Sequence, residues 1–380
     1  MSGPISAPNS AVETAVETAL DALRRGQMIV LLDDEDRENE GDIVLAAEHG
    51  TPQAITFMAT QARGLICLAM AGEEIDRLGL PPMVARNMAR RSTAFTVSIE
   101  AREGISTGIS AADRAHTVRV ATDPASGPGQ IASPGHVFPL RAMPGGVLER
   151  NGHTEGAVDL MRLAGLRPAA VICEVMCDDG TMMRRDAMTA YVARHGLPSL
   201  TMAELVDYRL RHEVLVTEAA VADLPTPFAA QPLRLHAFES RIDGSEQLAL
   251  VNPGKAAGAP LVRLLAENLI GDAFGARSQD HLRDLAATPG GILLYLRRPD
   301  GHGVVDAVRA LGQPAGAGAS LPHAFAHAAQ MLRALGHKRI RLLTDLPETS
   351  HGLRRYGIEV SVAEPVSAPQ PRPALEALSA

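Results

Sequence analysis

The sequence has 380 residues, of which 46% are hydrophobic and 21% are charged, and its formal net charge is -8. This length predicts two domains with ample apolar cores, and the acidic balance argues against a broad nucleic-acid surface. No segment reaches the roughly 18 uninterrupted apolar residues of a membrane helix, and MSGPISAPNS lacks the features of a secretory signal. We therefore expect a cytoplasmic protein that binds neither nucleic acid nor membrane.

Helices and strands alternate through the first part of the chain, which is typical of α/β domains. The stretch AVETAVETALDALRRG predicts a helix with Gly26 at its C′ position, and SAADRAHTVRVA predicts a helix with a serine cap. The apolar pattern further predicts a helix at 52–63 and strands at 28–33, 65–70 and 94–100.

Residues 31–42, LLDDEDRENEGD, crowd seven carboxylates into one predicted turn. Apolar strands on both sides place the turn at a sheet end, where sites gather, although a solvated loop is the alternative. A divalent cation bound through hard oxygen ligands would offset the repulsion. A calcium EF-hand loop is excluded, because a register starting at Asp34 puts Asn39 where glycine is required. Magnesium or manganese fits better.

A Gly- and Pro-rich stretch at 125–153 is predicted to be irregular, and a helix is predicted at 155–164. Thr154 is the predicted N-cap, so the positive end of this helix would face Arg150 and His153. His136 lies in the same stretch. Such a basic corner suits a phosphate group, whereas an exposed arginine and packed histidines are the alternative interpretation.

Glu174 interrupts the apolar strand predicted at 169–175. An unpaired carboxylate in a buried strand is destabilising or takes a raised pKa, so Glu174 either lies at a strand end or acts as a tuned acid–base group. The three cysteines, Cys67, Cys173 and Cys177, lack zinc-site spacing. They are predicted to be small packing residues in a reducing compartment.

The second half of the chain begins after two further helices, predicted near 186–196 and 201–212. EVLVTEAAVADLPTPF (213–228) is predicted to be the crossing between domains. The alternation then resumes, with predicted strands at 292–297 and 340–344 and a helix at 323–335. The last residues, 366–380, are predicted to form a disordered tail.

Together these residues predict a divalent metal, a phosphate cradle, and carboxylate and imidazole acid–base groups. The combination suits proton abstraction next to a carbonyl, where the metal polarises the carbonyl and the adjacent hydroxyl and makes an enediolate accessible. A sugar phosphate is the substrate class that these features favour.

Five motifs carry a family resemblance: DDEDRENEGD, TAFTVSIEAREGISTGISAADRAHTV, PGHVFPLRA, RNGHTEGAVDLM and CEVMCDDGTM. In order across about residues 12–212, they resemble 3,4-dihydroxy-2-butanone 4-phosphate synthase of riboflavin biosynthesis. The resemblance implies an α+β fold with a synthase-type α/β domain at 1–212, and a homodimer with active sites near the subunit interface. It also implies a magnesium- or manganese-dependent lyase that converts D-ribulose 5-phosphate to L-3,4-dihydroxy-2-butanone 4-phosphate and formate. The implied route is an enediol, loss of water, a skeletal migration and excision of one carbon.

The resemblance also implies roles for particular residues. Glu38 and His153 match metal ligands, and His136 and Glu174 match catalytic residues. Substrate contacts are implied for residues of the same motifs: Arg37, Glu38, Asp42, Thr107, Arg150, Asn151, Gly152, His153, Thr154 and Glu174. The family's flexible loop corresponds to about 101–110, where Thr107 and Gly108 could close over the phosphate.

Residues 213–365 are similar to GTP cyclohydrolase II, through ADLPTPF, LALVNPG, PLVRLLAENLIGDAFGAR, ILLYLRR and IRLLTDLPET. That family holds zinc with three cysteines, but the matching positions are Asn268 and roughly Gln279 and His281, and no cysteine follows Cys177. The segments RPDGHG (298–303) and GQPAGAGASLPHA (312–324) also depart from the family. A GTP cyclohydrolase II-like α/β domain without zinc or GTP hydrolysis is therefore predicted. Its role would be structural or, alternatively, binding of a nucleotide or flavin that regulates the synthase.

Overall fold

The computed structural model describes residues 10–33, 37–242, 244–256, 258–267, 272, 277–297, 321–344 and 347–364. Two compact units divide the chain, one ending at Arg209 and the other beginning at Leu210. Each unit contains a seven-stranded mixed sheet with helices packed against it. Both units therefore have α/β architecture, as expected from the alternation of elements. Within the described residues, no helix combines the length and the apolar character needed to cross a membrane.

The helices are α1 (Ser10–Arg24), α2 (Pro52–Phe57), α3 (Gly72–Arg77), α4 (Ala111–Thr122), α5 (His153–Ala164), α6 (Arg185–His195), α7 (Met202–His212), α8 (Arg277–Ala286), α9 (Leu321–Ala334) and α10 (Pro347–Arg355). The strands of the first unit are β1 (Ile29–Leu32), β2 (Gly41–Ala46), β3 (Cys67–Met70), β4 (Ile99–Ala101), β5 (Ile131–Arg141), β6 (Ala169–Glu174) and β7 (Ser199–Thr201). Those of the second unit are β8 (Val216–Leu224), β9 (Leu233–Ser240), β10 (Glu246–Val251), β11 (Leu261–Ala266), β12 (Ile292–Leu296), β13 (Arg339–Leu343) and β14 (Glu359–Glu364).

The first sheet has the strand order β4-β5-β3-β6-β2-β1-β7. In the centre of the sheet, β6 is antiparallel to both of its neighbours, β2 and β3. Strand β3 runs parallel to its other neighbour, β5. Helices α1 and α5 pack together on the sheet, and α2 packs on α4. One sheet face contributes Val30, Ile43 and Val171 to the core beneath α2 and α4. Since side chains alternate, Asp42 and Glu174 point to the other face.

Local sequence accounts for several element ends. The Ser110 hydroxyl accepts a hydrogen bond from the Asp113 backbone at 3.0 Å, which caps α4 as predicted. Gly26 has a φ of +71° just after α1, a conformation that glycine adopts without strain. Arg63 takes a φ of +73° after a short π-helical turn that extends α2. That turn carries the chain into β3.

The stretch predicted to be irregular at 125–153 contains the longest strand of the first sheet, β5, so that prediction is wrong. Val137 and Leu140 are buried in β5, which pairs with β3 on one side and β4 on the other. Proline and glycine normally disfavour a strand. Here pairing with two neighbours and burial of alternate side chains outweigh their local preference, and Pro134 remains exposed.

Two other predicted boundaries differ from the structure. The supposed crossing at 213–228 contains β8, an edge strand whose residues are mostly exposed, so little hydrophobic alternation reveals it. Conversely, only the end of the predicted strand 94–100 is regular, as β4. Phe95 and Thr96 make isolated bridges, because Phe95 pairs with Leu140 and Thr96 with Pro82 rather than with one continuous neighbour.

The second sheet has the strand order β14-β13-β11-β12-β10-β9-β8. Strands β12, β11, β13 and β14 run parallel, and β8, β9, β10 and β12 form an antiparallel series. Leu233, Leu250, Leu285 and Leu293 form a buried cluster between the sheet and α8. Phe238 is also fully buried. This unit thus has an apolar core of its own.

Candidate active site

Three potential metal ligands converge beside the turn between β1 and β2. Glu38 and Glu40 belong to this turn, and His153 is the first residue of α5. One possible ligand atom from each residue lies within 4.8 Å of the other two. The fold therefore brings together the expected pair, Glu38 and His153. Glu40, which sequence interpretation did not single out, joins them. In the sequence, its role was indicated by its position two residues before Asp42, an expected substrate contact.

His153 has the character of a neutral imidazole ligand. Its side chain is 7% exposed, and this burial lowers its pKa to about 4, while Asp33 and a hydrogen bond with the Leu31 backbone act in the opposite direction. Its Nε2 atom is buried and has no hydrogen-bond partner in the described part of the chain. An uncharged imidazole with a free ring nitrogen is suited to bind a metal ion.

Two guanidinium groups flank Glu38. Arg37 Nη1 donates to Glu38 Oε2 at 2.7 Å and to Asp33 Oδ2 at 2.8 Å. Arg91 Nε lies 3.5 Å from Glu38 Oε1, and Arg91 Nη2 donates to the Arg37 carbonyl. Buried Asp33 also accepts a hydrogen bond from the Glu38 backbone at 2.9 Å. These contacts fix the turn and balance part of its negative charge.

Asp42 on β2 and Glu174 on β6 are paired directly on these two neighbouring antiparallel strands. Burial, followed by the charge of Glu174, raises the pKa of Asp42 well above its ordinary value. Burial also raises the pKa of Glu174, although Glu174 Oε2 accepts a hydrogen bond from the Leu65 backbone at 2.8 Å. Glu174 is the last residue of β6, so it occupies a strand end and also has the perturbed pKa of an acid–base group.

The pKa of Glu40 is raised to near neutrality. Burial and the charges of Glu38 and Glu174 raise its pKa to about 7, opposed by the charge of Arg184. Arg184 Nη1 donates to the carbonyl oxygens of Glu38 and Asn39, at 2.5 Å and 2.8 Å. Glu40 therefore exchanges its proton in the pH range where acid–base groups work most effectively.

The donor set fits a magnesium or manganese ion. Carboxylate oxygens are the preferred ligands of both cations, and imidazole is accepted by manganese and other first-row metals. Two further oxygens, Asp33 Oδ1 and Asp42 Oδ1, are buried without a hydrogen-bond partner among the described residues. Since an uncompensated buried carboxylate is destabilising, a cation at Glu38, Glu40 and His153 would relieve this crowding.

Arg150 is anchored beside the start of α5. Its Nη1 donates to Glu155 Oε2 at 2.5 Å and its Nη2 donates to Thr93 Oγ1 at 3.1 Å. Its Nε and Nη2 also donate to the Arg91 carbonyl, at 3.2 Å and 3.0 Å. The interpretation of Arg150 as merely an exposed side chain is therefore wrong.

The prediction of Thr154 as N-cap is also wrong, because α5 begins at His153 and Gly152 is its N-cap. A side chain at Gly152 would overlap Arg150 Nη1, so the close approach of the arginine selects glycine. Thr154 instead lies buried in the first helical turn. Residues Asn151–Thr154 nonetheless form the positive end of α5, where an anion is favoured.

His136 lies on β5, two residues before Phe138, which pairs with Cys67. Side-chain alternation places His136 on the same sheet face as Cys67. Its Nδ1 atom lies 3.5 Å from Glu100 Oε2, a neighbour that sequence interpretation did not identify. No hydrogen bond or ion pair among the described residues links His136 directly to the Glu38, Glu40 and His153 group.

Cys67 and Cys173 are buried, Cys177 is half-buried, and all three are free thiols. Burial raises the pKa of the Cys67 and Cys173 thiols, which keeps them protonated. The prediction that the cysteines are packing residues is confirmed for Cys173, which belongs to the core cluster.

Comparison with known families decides the identity of the fold. The model of the 3,4-dihydroxy-2-butanone 4-phosphate synthase family matches residues 17–208, and that of GTP cyclohydrolase II matches residues 217–365. The chain belongs to the 3,4-dihydroxy-2-butanone 4-phosphate synthase family. It joins a synthase domain to a GTP cyclohydrolase II domain, and family membership assigns it to riboflavin biosynthesis.

Relatives extend over nearly the whole chain. Riboflavin biosynthesis protein RibBA of Salinispora arenicola is 44% identical over 362 residues, which cover 88% of this chain and 84% of that protein. A protein of Arabidopsis thaliana named monofunctional riboflavin biosynthesis protein RIBA 2, chloroplastic, is 39% identical over 91% of this chain and 76% of its own length.

Solved structures of 3,4-dihydroxy-2-butanone 4-phosphate synthases are also similar to this chain. A two-domain 3,4-dihydroxy-2-butanone 4-phosphate synthase from A. baumannii, called RibBX, has a TM-score of 0.78 and 37% identity, and covers 92% of this chain and 99% of its own. A 3,4-dihydroxy-2-butanone 4-phosphate synthase in complex with two magnesium ions has a TM-score of 0.50 and 40% identity over 52% of this chain and 97% of its own.

The positions expected to replace the cyclohydrolase zinc ligands are only partly described. Gln279 is exposed, while His281 contacts Arg263; Asn268, residues 298–303 and most of 312–324 lie outside the described residues, as does the predicted tail at 366–380. Arg263, His281 and Asp284 line a cavity of about 280 Å³ between α8 and the sheet. This cavity is a candidate binding site in the second unit.

Proposed function

We propose that the first unit converts D-ribulose 5-phosphate to L-3,4-dihydroxy-2-butanone 4-phosphate and formate. The observation that carries this proposal is the convergence of Glu38, Glu40 and His153 beside Asp42 and Glu174. Membership of the synthase family supports the same reaction. The synthase domain would comprise residues 1–212, and the second domain residues 213–365.

Glu38 and His153 would hold a magnesium or manganese ion, with Glu40 beside them. When bound, the ion would polarise the substrate carbonyl and the adjacent hydroxyl group. The solved synthase that contains two magnesium ions supports the choice of a divalent metal.

The protein's own groups would move the protons. Burial raises the pKa values of Glu174 and Asp42, which suits a carboxyl group at this place to an acid–base role. His136, with Glu100 beside its Nδ1, is the second proposed acid–base residue. Loss of a proton next to the carbonyl, with a proton returned to the carbonyl oxygen, would give the enediol. Loss of water and skeletal migration would follow, and addition of a water molecule would then release one carbon as formate.

The phosphate of the substrate would bind at the positive end of α5. Arg150, Asn151, Gly152 and Thr154 surround this helix terminus, whose backbone N–H groups favour an anion. Arg37 would contact the substrate from the acidic turn. Thr107 and Gly108 would cover it from the loop that follows β4.

Formate release from D-ribulose 5-phosphate by the full-length chain tests the proposed reaction. We expect formate with added magnesium and none after treatment with a chelator, and activity should return when magnesium is restored. Absence of formate under all of these conditions would rule out the proposed reaction.

For the second domain, we propose that GTP is not hydrolysed and that no zinc is bound. No cysteine follows Cys177, so a zinc site of three cysteines cannot form there. RIBA 2 is named monofunctional and RibBX is described as a two-domain 3,4-dihydroxy-2-butanone 4-phosphate synthase, and both names support a single activity for this chain. Formation of the pyrimidine product from GTP by the full-length chain would overturn this proposal.

The second domain would stabilise the synthase. Its separate sheet and apolar core support this structural role. The cavity lined by Arg263, His281 and Asp284 favours the other candidate, in which a nucleotide or flavin binds and regulates the synthase. Binding of GTP and of flavin mononucleotide, measured by calorimetry, distinguishes the two.

We further propose that the protein is a cytoplasmic homodimer. Free thiols suit a reducing compartment. Exposed apolar side chains in the segment at 81–93, including Val84 at 53% and Met88 at 81% exposure, favour burial against a second copy. Analytical ultracentrifugation should give the mass of a dimer, and a monomer at all concentrations would exclude this assembly.

A further inference from the structure

Asp113 lies near the start of α4, but its carboxylate bonds to the preceding loop. Asp113 Oδ1 accepts a hydrogen bond from the Ser106 backbone at 3.1 Å, and Oδ2 accepts from Ser106 Oγ at 2.7 Å and from the Gly108 backbone at 3.1 Å. Asp113 is only 7% exposed. The hydrogen bonds from Ser106 lower the pKa of Asp113 to about 2, so this acceptor is ionised at every physiological pH.

The loop held in this way packs directly on His136, a proposed acid–base residue, and on Glu100 beside it. A side chain at Gly108 would overlap Glu100 Oε2 and would lie 2.8 Å from His136 Nδ1. Gly108 also has a φ of +83°, which an L-residue adopts only with strain. The Thr107–Gly108 peptide therefore lies against Glu100 and His136 in a conformation that requires glycine.

We propose that Asp113 is a positioning residue of the synthase, which fixes the Ser106–Gly108 loop against His136 and Glu100; this inference rests on the proposed synthase reaction. Three hydrogen bonds to one ionised carboxylate are strong and directional. Asp113 thereby determines where the loop peptide meets the imidazole.

The hydrogen bonds to Asp113 restrict how the loop at 101–110 can move. A freely flexible cover would leave the backbone N–H groups of Ser106 and Gly108 to water. Here both N–H groups donate to Asp113 near the start of α4. Any closing movement must therefore carry Ser106–Gly108 together with α4, or must break these hydrogen bonds.

The test compares Asp113→Asn with the wild-type full-length chain. An amide cannot accept hydrogen bonds at both of its terminal atoms, so at least one loop contact is lost. We expect kcat for formate release to fall by about tenfold to hundredfold, because small misplacements of catalytic groups lower the rate by this much. The KM for D-ribulose 5-phosphate should change less. Hydrogen exchange of the peptide at 103–110 should become faster.

The matched control is Asp123→Asn, which removes the same charge from the exposed carboxyl end of α4. It should leave kcat, hydrogen exchange at 103–110 and Tm unchanged. A kcat for Asp113→Asn within about twofold of an active wild type would overturn the inference, since misplacement at a catalytic group costs far more.

Ser106→Ala covers the case in which Asp113→Asn does not fold. It removes only the hydroxyl contact to Asp113 Oδ2 and should lower kcat several-fold at an unchanged Tm; an unchanged kcat would overturn the inference. If the wild type releases no formate, the proposed reaction fails. Hydrogen exchange then tests the positioning role of Asp113 separately. Equal exchange of the peptide at 103–110 in the wild type and in Asp113→Asn would exclude that role.

Discussion

Asp42 and Glu174 face each other on neighbouring antiparallel strands, and both carboxyl groups have raised pKa values. Two carboxylates at such positions repel each other, and burial strengthens the effect. A fold that keeps them together holds protons or attracts a cation. The nearby Glu38, Glu40 and His153 supply the place for a cation.

The position of Glu174 depends on its close contact with Gly64. A side chain at Gly64 would overlap the carbonyl and carboxylate oxygens of Glu174. We therefore expect Gly64→Ala to displace Glu174 and to lower kcat by about tenfold or more. Gly129→Ala is the matched control, because a side chain there meets nothing within 4 Å. Formate release measured for both variants checks this, and equal rates would show that Glu174 tolerates displacement.

Replacement of a proposed metal ligand should remove metal dependence. We expect Glu38→Gln to lower kcat for formate release by about hundredfold or more, because a ligand of the ion is lost. Magnesium should also no longer raise Tm. Glu73→Gln on α3 provides an exposed control with the same change of charge and should retain both properties. Undiminished activity of Glu38→Gln would remove Glu38 from the metal site.

Glu40 makes the effect of magnesium depend on pH. Without metal, the raised pKa of Glu40 means that the folded chain holds a proton between the ordinary value of 4.5 and about 7, which the unfolded chain has released. Raising the pH through this window therefore lowers the free energy of unfolding. Ionised Glu40 favours the cation, so magnesium should raise Tm more at about pH 8 than at about pH 6.

The control for this pH dependence is Glu40→Gln, in which this position cannot titrate. The magnesium-induced changes in Tm at the two pH values should differ less than in the wild type, and the raised pKa values of Asp42 and Glu174 account for any remaining difference. His153, whose pKa is lowered to about 4, is neutral in the folded chain at both pH values and does not alter the magnesium effect between them. It affects the metal-free stability, because the unfolded histidine binds a proton below its ordinary pKa of about 6.5. Differential scanning fluorimetry with and without magnesium provides the measurement. A wild-type response that is independent of pH would contradict the role of Glu40.

Deletion of the second domain separates its two proposed roles. If the domain is structural, a chain ending at His212 should have a lower Tm, and the full-length chain should respond to neither GTP nor flavin mononucleotide. If it regulates, either ligand should alter formate release by the full-length chain but not by the shortened one. Synthase rate and Tm of both chains, measured with and without ligand, decide between the roles.

Sequence interpretation was most accurate where local chemistry decides the structure. The Ser110 cap of α4 and Gly26 after α1 depend on neighbouring backbone groups, and both were predicted. The cap of α5 was misplaced by two residues, because the packing of Arg150 on Gly152 is not visible in the sequence. Strand β5 was missed because long-range pairing outweighs its prolines and glycines.

The candidate site shows the same division. The sequence alone identified the acidic turn, Glu174 and His153, because these charged or titratable residues are unusual for their sequence surroundings. The motifs that contain them also indicate the family. Glu40, Arg91 and Glu100 were missed, because their importance comes only from neighbours that are distant in the chain.

The sequence by itself determined the residue chemistry, the positions of most helices and the division into two α/β domains, because these follow from local propensity and hydrophobic period. Only the tertiary structure decided that Glu38 meets His153, that Asp42 lies opposite Glu174 and that Asp113 holds the loop beside His136. These relationships depend on burial and on strand register, which link distant parts of the chain and which set the pKa values of the site.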